Sequence, residues 1–222
     1  MDKVLTFDCY GTLIDTAPMY GELFKIGEEN GLSGGDVQNI FINYEDRLMY
    51  GEPFMPYDKL VYEALGYCDM ELNTHVVQRE FDRILQAHKT LTAFPEVTET
   101  LRRLKGRGCE LCLMSNSLPD IMDKNLKALD NVFDRVFLAS EVKCYKPRLS
   151  FFQQVNEALR LKERAHCHIA AGYWWDIVPA ARMGWRKIWV NRKGCNGSAA
   201  HAPYGEVAAL DQVIPLLEEM GF

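Results

Sequence analysis

The sequence predicts an α/β protein in which a doubly wound parallel sheet carries a helical insertion after its first strand. A short apolar run, Val4–Asp8, opens the chain and is followed by a turn at Gly11, as expected of a buried parallel strand. The next stretch, residues 16–89, has helical periodicity and almost no strand signal. From Leu91 onward helical and strand patterns alternate, which is typical of a parallel sheet with covering helices.

The insertion is predicted to contain short helices. The first has Pro18 near its first turn and Gly31 beyond its end, the arrangement expected of helix termini. The predicted ranges are Pro18–Asn30, Asp36–Tyr50, Pro56–Leu65 and Thr74–Ala87. We therefore divide the chain into a core domain of residues 1–15 and 90–222 and a helical domain of residues 16–89. Its insertion point predicts that the helical domain forms a cap over the carboxyl end of the sheet.

The core domain is predicted to continue with strands and helices in alternation. The predicted strands are Glu110–Met114, Val136–Ala139, His168–Ala171 and Lys187–Val190. The predicted helices are Glu96–Arg107, Asp120–Leu129, Ser150–Leu161, Ile177–Met183 and one near Leu210–Met220. The stretch Glu141–Pro147 and the Gly/Ala-containing segment after Val190 are predicted to be loops.

Composition and charge limit the classes of partner. The chain has 222 residues, of which 48% are hydrophobic and 25% charged, and a net charge of −6. No Lys/Arg-rich run is present, so we expect no nucleic-acid partner. No apolar run approaches the roughly 20 residues that a spanning helix needs, and no signal peptide is visible. We therefore expect no membrane partner and a cytoplasmic location.

Two clusters of metal-ligating residue types are interpreted as structural. Cys109 and Cys112 have the spacing of a redox or metal pair, but they lie on a predicted strand, where residues three apart point to opposite faces. His166-Cys167-His168 could present two imidazoles on one face. We interpret it as packing at the edge of the sheet, because no partner ligands lie nearby in sequence.

Four polar residues, Asp8, Ser115, Lys146 and Asp176, each follow a predicted strand. Such residues meet at one edge of a parallel sheet, where these folds place their ligands, and an aspartate fixed there can act as a nucleophile. Each also has a simpler interpretation. Asp8 and Ser115 are residues that commonly cap helices, and a lone lysine is usually a solvated loop residue.

The string Asp8-Cys9-Tyr10-Gly11-Thr12-Leu13-Ile14-Asp15 resembles the first motif of the haloacid dehalogenase superfamily. In that family the first aspartate is the nucleophile. Phosphatases of the family carry a second aspartate two positions later, which protonates the leaving alcohol. This chain has Tyr10 there, as does the L-2-haloacid dehalogenase (type II) branch. A halide needs no proton to leave, so the resemblance favours that branch.

The other motifs support the same resemblance. Ser115 and Asn116 resemble the second motif, which implies that they bind a substrate carboxylate and the leaving halide. Lys146, followed by Pro147, resembles the third motif and would keep the nucleophile ionised. Thr12 would orient the nucleophile. In this resemblance, Asp8, Thr12, Ser115, Lys146 and Asp176 are the catalytic residues.

The fourth motif departs from the family pattern. Phosphatases use paired acids there to help bind Mg²⁺, but here the earlier position is Gly172 and only Asp176 remains. Two carboxylates are a thin ligand set for octahedral Mg²⁺, so we expect Asp176 to pair with Lys146 and the site to need no metal or other cofactor. Where the dehalogenase branch has a Ser and an Asn that hold the hydrolytic water, this chain has Ala171 and Tyr173.

Two further departures concern residues that the dehalogenase branch uses around its substrate. Phe152 stands where the branch has a tyrosine, and the cap arginine has no counterpart in register, Arg47 being the nearest.

The resemblance thus implies a Rossmann-like core and a hydrolase that converts small 2-haloalkanoic acids to 2-hydroxy acids through an ester on Asp8. The residues expected to bind substrate are Tyr10, Gly11, Asn116, Tyr173 and Trp175. Three alternatives stay open: opening of another activated or strained small carboxylate by C–N cleavage, a Mg²⁺-dependent phosphatase, and a non-catalytic binding relative. The partner expected is a small 2-halo carboxylate, and a homodimer is left open.

Overall fold

The sheet confirms the predicted α/β fold. The computed structural model describes residues Asp2–Phe222, and its strands are β1 (Lys3–Asp8), β2 (Cys109–Ser115), β3 (Arg135–Leu138), β4 (Ala165–Ala170), β5 (Lys187–Val190) and β6 (Gly205–Val207). All neighbours pair in parallel, in the order β3-β2-β1-β4-β5-β6. This order is that of a doubly wound sheet, and it puts β1 in the centre between β2 and β4.

The helices of the core alternate with these strands as predicted, except that a four-residue helix, Ala139–Val142, begins in the predicted strand Val136–Ala139 and extends into the predicted loop Glu141–Pro147. The helices are α1 (Ala17–Glu29), α2 (Gly34–Met49), α3 (Tyr57–Glu71), α4 (Phe81–Lys89), α5 (Val97–Gly106), α6 (Pro119–Ala128), α7 (Ala139–Val142), α8 (Leu149–Leu159), α9 (Val178–Arg182) and α10 (Val213–Glu219). A π-helical turn, Tyr173–Ile177, precedes α9. Among the described residues, no helix combines the length and apolarity needed to cross a bilayer.

The chain forms two compact units. The first consists of the residues up to Asp15, Thr92–Asn116 and Leu126–Phe222, and it holds the whole sheet. The second consists of Thr16–Leu91 and Ser117–Asn125. Within the first unit the chain leaves and returns side by side, because the Asp15 N–H donates to the Thr92 carbonyl at 3.0 Å. The cap role predicted for residues 16–89 stays a prediction.

Two predictions about strands were wrong. We predicted that His166-Cys167-His168 packs at the edge of the sheet, but β4 begins at Ala165 and is an internal strand that pairs with β1 and β5. The histidines weaken the apolar pattern there, which is why sequence alone gave a late start. The strand β6 was predicted to be loop, because three residues beginning with Gly205 carry too little periodicity.

Helix boundaries in the insertion differ at two places. The helix predicted to end at Leu65 continues to Glu71, because its buried face continues past Gly66 to Cys68. The helix predicted over Thr74–Ala87 begins later, with a 3₁₀ turn at Gln78–Glu80 followed by α4. The Asp69 carboxylate accepts hydrogen bonds from the backbone N–H groups of Val77 and Gln78 at 2.9 and 3.0 Å, and thereby fixes this later start.

A buried carboxyl group lies inside the helical unit. Glu45 of α2 accepts hydrogen bonds from the Tyr57 hydroxyl at 2.5 Å and from the Tyr20 hydroxyl at 3.4 Å, and it is 6% exposed. Burial raises the pKa of Glu45 to about 7, although the Tyr57 hydrogen bond opposes the shift. The folded protein therefore holds the Glu45 proton more tightly than the unfolded chain does.

This proton makes the stability contributed by Glu45 depend on pH. Because the folded pKa is raised, the full contribution is present below the ordinary value of 4.5 and is lost as the pH rises to about 7. Glu45→Gln removes the titration. The free energy of unfolding of Glu45→Gln minus that of wild type should become more positive by about 2 to 3 kcal/mol as the pH rises from 4.5 to 8. Urea unfolding at both pH values measures it.

The matched control is Glu63→Gln, which changes an exposed glutamate of the neighbouring helix α3. A pH-dependent difference confined to Glu45→Gln assigns the effect to the buried carboxyl group rather than to the loss of one negative charge. A Glu45→Gln difference that does not change with pH would show that Glu45 is ionised in the folded protein throughout this range.

Candidate active site

The topology brings together the four polar residues that follow predicted strands. Asp8 is the last residue of β1 and Ser115 is the last residue of β2, its neighbour in the sheet. Asp176 lies in the π-helical turn that follows β4, the neighbour of β1 on its other side. Lys146 lies between α7 and α8. These residues lie at the carboxyl edge of the central strands, where doubly wound sheets bind their ligands.

Lys146 joins two carboxylates. Its Nζ donates to Asp8 Oδ1 and to Asp176 Oδ1, both at 2.7 Å, and the exposed fractions of the three side chains are 2%, 10% and 1%. The expected pairing of Asp176 with Lys146 is therefore present. Burial opposes the charge of Lys146, but Asp176 and Asp8 together raise the pKa of its ammonium above the ordinary value. The ammonium is accordingly the fixed positive charge of the site.

The second oxygen of Asp8 is held by a directed hydrogen-bond chain. The Ala171 N–H donates to Thr12 Oγ at 2.7 Å, and the Thr12 hydroxyl donates to Asp8 Oδ2 at 2.6 Å. The indole N–H of Trp189 donates to the carbonyl of the same residue, Ala171, at 3.1 Å, so both backbone groups of Ala171 are hydrogen-bonded. The turn itself requires Gly11, whose φ is +78°. Asp8 therefore has a defined orientation.

The pKa values of the two carboxyl groups are shifted in opposite directions. Burial raises the pKa of Asp8 above its ordinary value, with Lys146 opposing the shift and Asp176 adding to it. For Asp176, burial acts in the same direction, but Lys146 and His168 together hold the pKa of Asp176 below its ordinary value. Asp176 is therefore the more firmly ionised member of the pair, and Asp8 is the more basic one.

Ser115 and Asn116 are placed differently. Ser115 is fully buried, and among the described residues its Oγ has no hydrogen-bond partner. Such a hydroxyl suits a polar ligand group, because buried polar atoms are rarely left unpaired. The Asn116 side chain instead clamps the backbone of Lys146: its Nδ2 donates to the Lys146 carbonyl at 3.0 Å, and its Oδ1 accepts from the Lys146 N–H at 2.7 Å.

The three aromatic residues predicted to bind substrate are all half-buried, and Tyr173 is held by contacts with other parts of the core. Tyr10 is half-buried, directly after β1. The Tyr173 hydroxyl is engaged by the segment after β5: it accepts from the Ser198 N–H at 2.7 Å and lies 3.2 Å from His201 Nδ1. The Tyr173 ring packs on Trp189, with centroids 4.7 Å apart. Trp175 is half-buried beside Asp176.

Sequence reasoning missed His168. Its Nε2 lies 3.1 Å from Asp176 Oδ1, and its Nδ1 lies 2.8 Å from the hydroxyl of Thr6 on β1. The same hydroxyl lies 2.8 Å from Nε2 of His166. A signal was present in the sequence, because Thr6, His166 and His168 are polar residues inside strands that otherwise read as apolar.

Arg192 was also missed. Its Nη2 donates to the Thr12 carbonyl at 2.8 Å and to Glu96 Oε1 at 2.6 Å, and its guanidinium lies 3.8 Å from the centroid of the Phe94 ring. It therefore holds the backbone of the loop that follows Asp8. No local pattern marks it, because its partners come from distant parts of the chain.

Comparison with known sequences decides the family. A sequence model described as haloacid dehalogenase-like hydrolase matches residues 3–184. The chain belongs to the haloacid dehalogenase-like hydrolases. The predicted family is thereby confirmed, and the matched range includes Asp8, Thr12, Ser115, Lys146 and Asp176.

Named relatives lie in one branch of this hydrolase family. The chain is 28% identical to (S)-2-haloacid dehalogenase 4A of Burkholderia cepacia and 26% identical to (S)-2-haloacid dehalogenase of Pseudomonas sp. strain YL, each over 97% of this chain and 94% of the relative. A crystal structure of a dehalogenase with an intermediate complex superposes with a TM-score of 0.83 at 25% identity, over 97% of this chain and 96% of that chain. L-2-haloacid dehalogenase from Xanthobacter autotrophicus with chloropropionic acid covalently bound shares the fold, with a TM-score of 0.81, 18% identity and coverage of 99% and 100%.

Some haloacid dehalogenase-like hydrolases use Mg²⁺, and the residues here do not fit that ion. Asp8 and Asp176 each accept from Lys146, whose ammonium takes the place of a cation between them. At the position of the second phosphatase acid stands Gly172, and a Cβ built there would lie 2.6 Å from Asp176 Oδ2. A side chain at residue 172 therefore requires Asp176 to move, and no reaction step is assigned to a metal.

The shared ammonium predicts a pH-dependent loss of stability in Lys146→Met. Two buried carboxylates would lose their counter-charge, so we expect the free energy of unfolding at pH 7.5 to fall by about 3 to 5 kcal/mol. Unpaired buried carboxyls have raised pKa values, and a raised pKa stabilises the folded state more at low pH. The deficit should therefore shrink at pH 5. Urea unfolding at both pH values, with the exposed-lysine variant Lys127→Met as control, measures it; equal deficits in the two variants would contradict the shared ion pair.

Proposed function

We propose that this hydrolase dehalogenates small 2-haloalkanoic acids to 2-hydroxy acids through a covalent ester on Asp8. The observation that carries the proposal is the buried Asp8 carboxylate, held by Lys146 and Thr12, with Tyr10 where a phosphatase has its acid. The named (S)-2-haloacid dehalogenases that resemble the chain along nearly its whole length support it.

The first step is displacement at carbon 2 of the substrate. The substrate carboxylate is placed near the Ser115 hydroxyl and the backbone of Tyr10 and Gly11. An oxygen of Asp8 forms a bond to carbon 2, and the carbon–halogen electron pair leaves with the halide. No proton is needed, which agrees with the absence of an acid at Tyr10. In this proposal Asn116, which follows Ser115 at the end of β2, helps to bind the leaving halide.

The second step is hydrolysis of the ester on Asp8. A water oxygen attacks the ester carbonyl carbon, the bond between that carbon and the substrate oxygen breaks, and the 2-hydroxy acid leaves. One water proton passes to Asp176, whose Oδ2 is buried and has no hydrogen-bond partner among the described residues, and Asp176 then gives it to the substrate oxygen as the ester bond breaks. The second water proton is released when the regenerated Asp8 carboxyl ionises. The net products are the 2-hydroxy acid, halide and one proton. In this mechanism Lys146→Met is inactive, because an unpaired Asp8 takes up a proton.

A second candidate function is hydrolytic opening of another activated small carboxylate, such as a strained ring opened by C–N cleavage. The observation that favours it is the altered fourth motif. Ala171 has no side-chain hydrogen-bonding group, and the Tyr173 hydroxyl is engaged with Ser198 and His201. Water is therefore held differently from the dehalogenase pattern. A non-catalytic role is the weakest candidate, since the five catalytic positions are all retained.

The remaining expectations about the surroundings stay predictions. The proposed partner is a small 2-halo carboxylate. A cytoplasmic location and the absence of nucleic-acid and membrane partners are predictions from the sequence, and whether the chain forms a homodimer is left open.

An isotope experiment tests Asp8 directly. In a single turnover of 2-chloropropionate in ¹⁸O-water with enzyme in excess, the covalent mechanism transfers the original Asp8 oxygen to the product. We therefore expect ¹⁸O in the peptide that carries Asp8 and an unlabelled product hydroxyl, both measured by mass spectrometry. Label in the product alone would show direct attack by water and remove Asp8 as the nucleophile.

Substrate and metal dependence form a separate prediction. Turnover of 2-haloacids should be the same with and without EDTA, and p-nitrophenyl phosphate should not be hydrolysed even with added Mg²⁺. The reason is the pair of features that oppose phosphoryl transfer, Tyr10 in the first motif and Gly172 beside Asp176. Turnover that EDTA abolishes and Mg²⁺ restores would instead support the phosphatase alternative.

A further inference from the structure

A series of hydrogen-bonded polar side chains lies on the central strands of the sheet and ends at Asp176. It consists of His166, Thr6 and His168, on the neighbouring central strands β4 and β1, where Thr6 and His168 are in register. Thr6 and His168 are fully buried, and His166 is 6% exposed. The successive distances from His166 to Thr6, to His168 and to Asp176 are 2.8, 2.8 and 3.1 Å. Polar groups in such a place need mutual hydrogen bonds to be tolerated.

The direction of these hydrogen bonds follows from Asp176. An ionised carboxylate only accepts, so His168 Nε2 must carry a proton. A doubly protonated ring would lie buried close to the Lys146 ammonium, which bonds to the same oxygen, so the neutral ring fits. His168 Nδ1 then accepts from the Thr6 hydroxyl, and the Thr6 oxygen accepts from His166 Nε2–H. Every donor in the series points toward Asp176.

The far end of the series is consistent with this direction. His166 lines a surface pocket of about 270 Å³ together with the cationic side chains Lys162, Arg164 and Arg186. The charge of Arg186 disfavours a second proton on the imidazole. Burial, followed by His168 and Arg186, lowers the pKa of His166 to about 3, so this ring is neutral at the pH of any assay.

We propose that His168 is a positioning residue which, fixed in its Nε2–H form by Thr6 and His166, holds Asp176 ionised and leaves Asp176 Oδ2 as the oxygen that accepts the water proton. This inference rests on the proposed function. In ester hydrolysis a water O–H bond breaks, its electron pair forms the bond to the ester carbonyl carbon, the π pair of that carbonyl moves to its oxygen, and the proton bonds to Oδ2. The charged or titratable groups that bear on Asp176 are Lys146, His168 and Asp8.

The first measurement is independent of activity. In ¹⁵N-histidine-labelled protein, NMR distinguishes protonated from unprotonated ring nitrogens. We expect His168 to show a protonated Nε2 and an unprotonated Nδ1, with the signal assigned by its loss in His168→Gln or by its proximity to the Phe152 ring, whose centroid lies 6.0 Å away. A protonated Nδ1, alone or together with Nε2, overturns the proposal.

The second measurement compares His168→Phe with His168→Gln. Phe keeps an aromatic ring but has no donor, whereas Gln can place an N–H near the position of Nε2. We expect His168→Phe to lower kcat for a 2-haloacid by about 10- to 100-fold, as loss of an outer-shell partner does elsewhere, with KM little changed. The acid limb of its kcat profile should move up by about one pH unit, because Asp176 loses a donor. His168→Gln should recover most of kcat.

The outcomes separate this proposal from the function on which it rests. A wild-type kcat and pH profile in His168→Phe shows that His168 only packs, and equal loss in both variants shows that the donor is not what matters; either overturns the proposal. If the variants do not fold, the wild-type NMR spectrum still decides it. Failure of ¹⁸O to enter Asp8 with the expected His168 tautomer rejects the ester mechanism and leaves the Asp176 arrangement supported.

Discussion

The arrangement around the catalytic edge depends on one ammonium group shared by two buried carboxylates. Without Lys146, Asp8 and Asp176 would be buried like charges, and at least one of them would take up a proton. In the proposed mechanism, Lys146 between them lets one carboxylate act as nucleophile while the other serves as a proton acceptor. That mechanism therefore needs the ammonium at its place in the fold as much as it needs either acid.

Much of the surrounding structure holds that ammonium and its partners in position. Asn116 binds the backbone N–H and carbonyl of Lys146 through the oxygen and the nitrogen of its side-chain amide. Thr12 holds Asp8, the Ala171 N–H orients Thr12, and Arg192 holds the Thr12 carbonyl. These contacts come from loops that follow different strands, so the site is preorganised by the sheet rather than by any single segment. Preorganised charges of this kind need no rearrangement during the reaction, which is the usual source of electrostatic catalysis.

The fourth motif shows how a family pattern can change without loss of the central charge arrangement. A side chain at residue 172 would collide with Asp176, so a second acid there would require Asp176 to move. The Tyr173 ring packs on Trp189. At the same time, Asp176 gains a hydrogen bond from β4 through His168. The polar groups that serve Asp176 in this chain thus come partly from inside the sheet, a place that family motifs do not describe.

The sequence by itself determined the parallel α/β fold and singled out Asp8, Ser115, Lys146 and Asp176, because these follow from short-range periodicity and from residues at the ends of strands. It also predicted the family, through the resemblance of the motifs around these residues to those of the haloacid dehalogenase superfamily. It did not determine the three-residue edge strand β6, the late start of α4 or the internal position of β4. The first is too short for a pattern, and the others depend on hydrogen bonds and strand pairing between separated segments. Only the tertiary structure decided the roles of His168, Thr6 and Arg192, since their partners lie up to 180 residues away along the chain. A buried histidine reads as packing until its hydrogen-bond partners are known, and for His168 one of them, Thr6, is supplied by the pairing of β4 with β1.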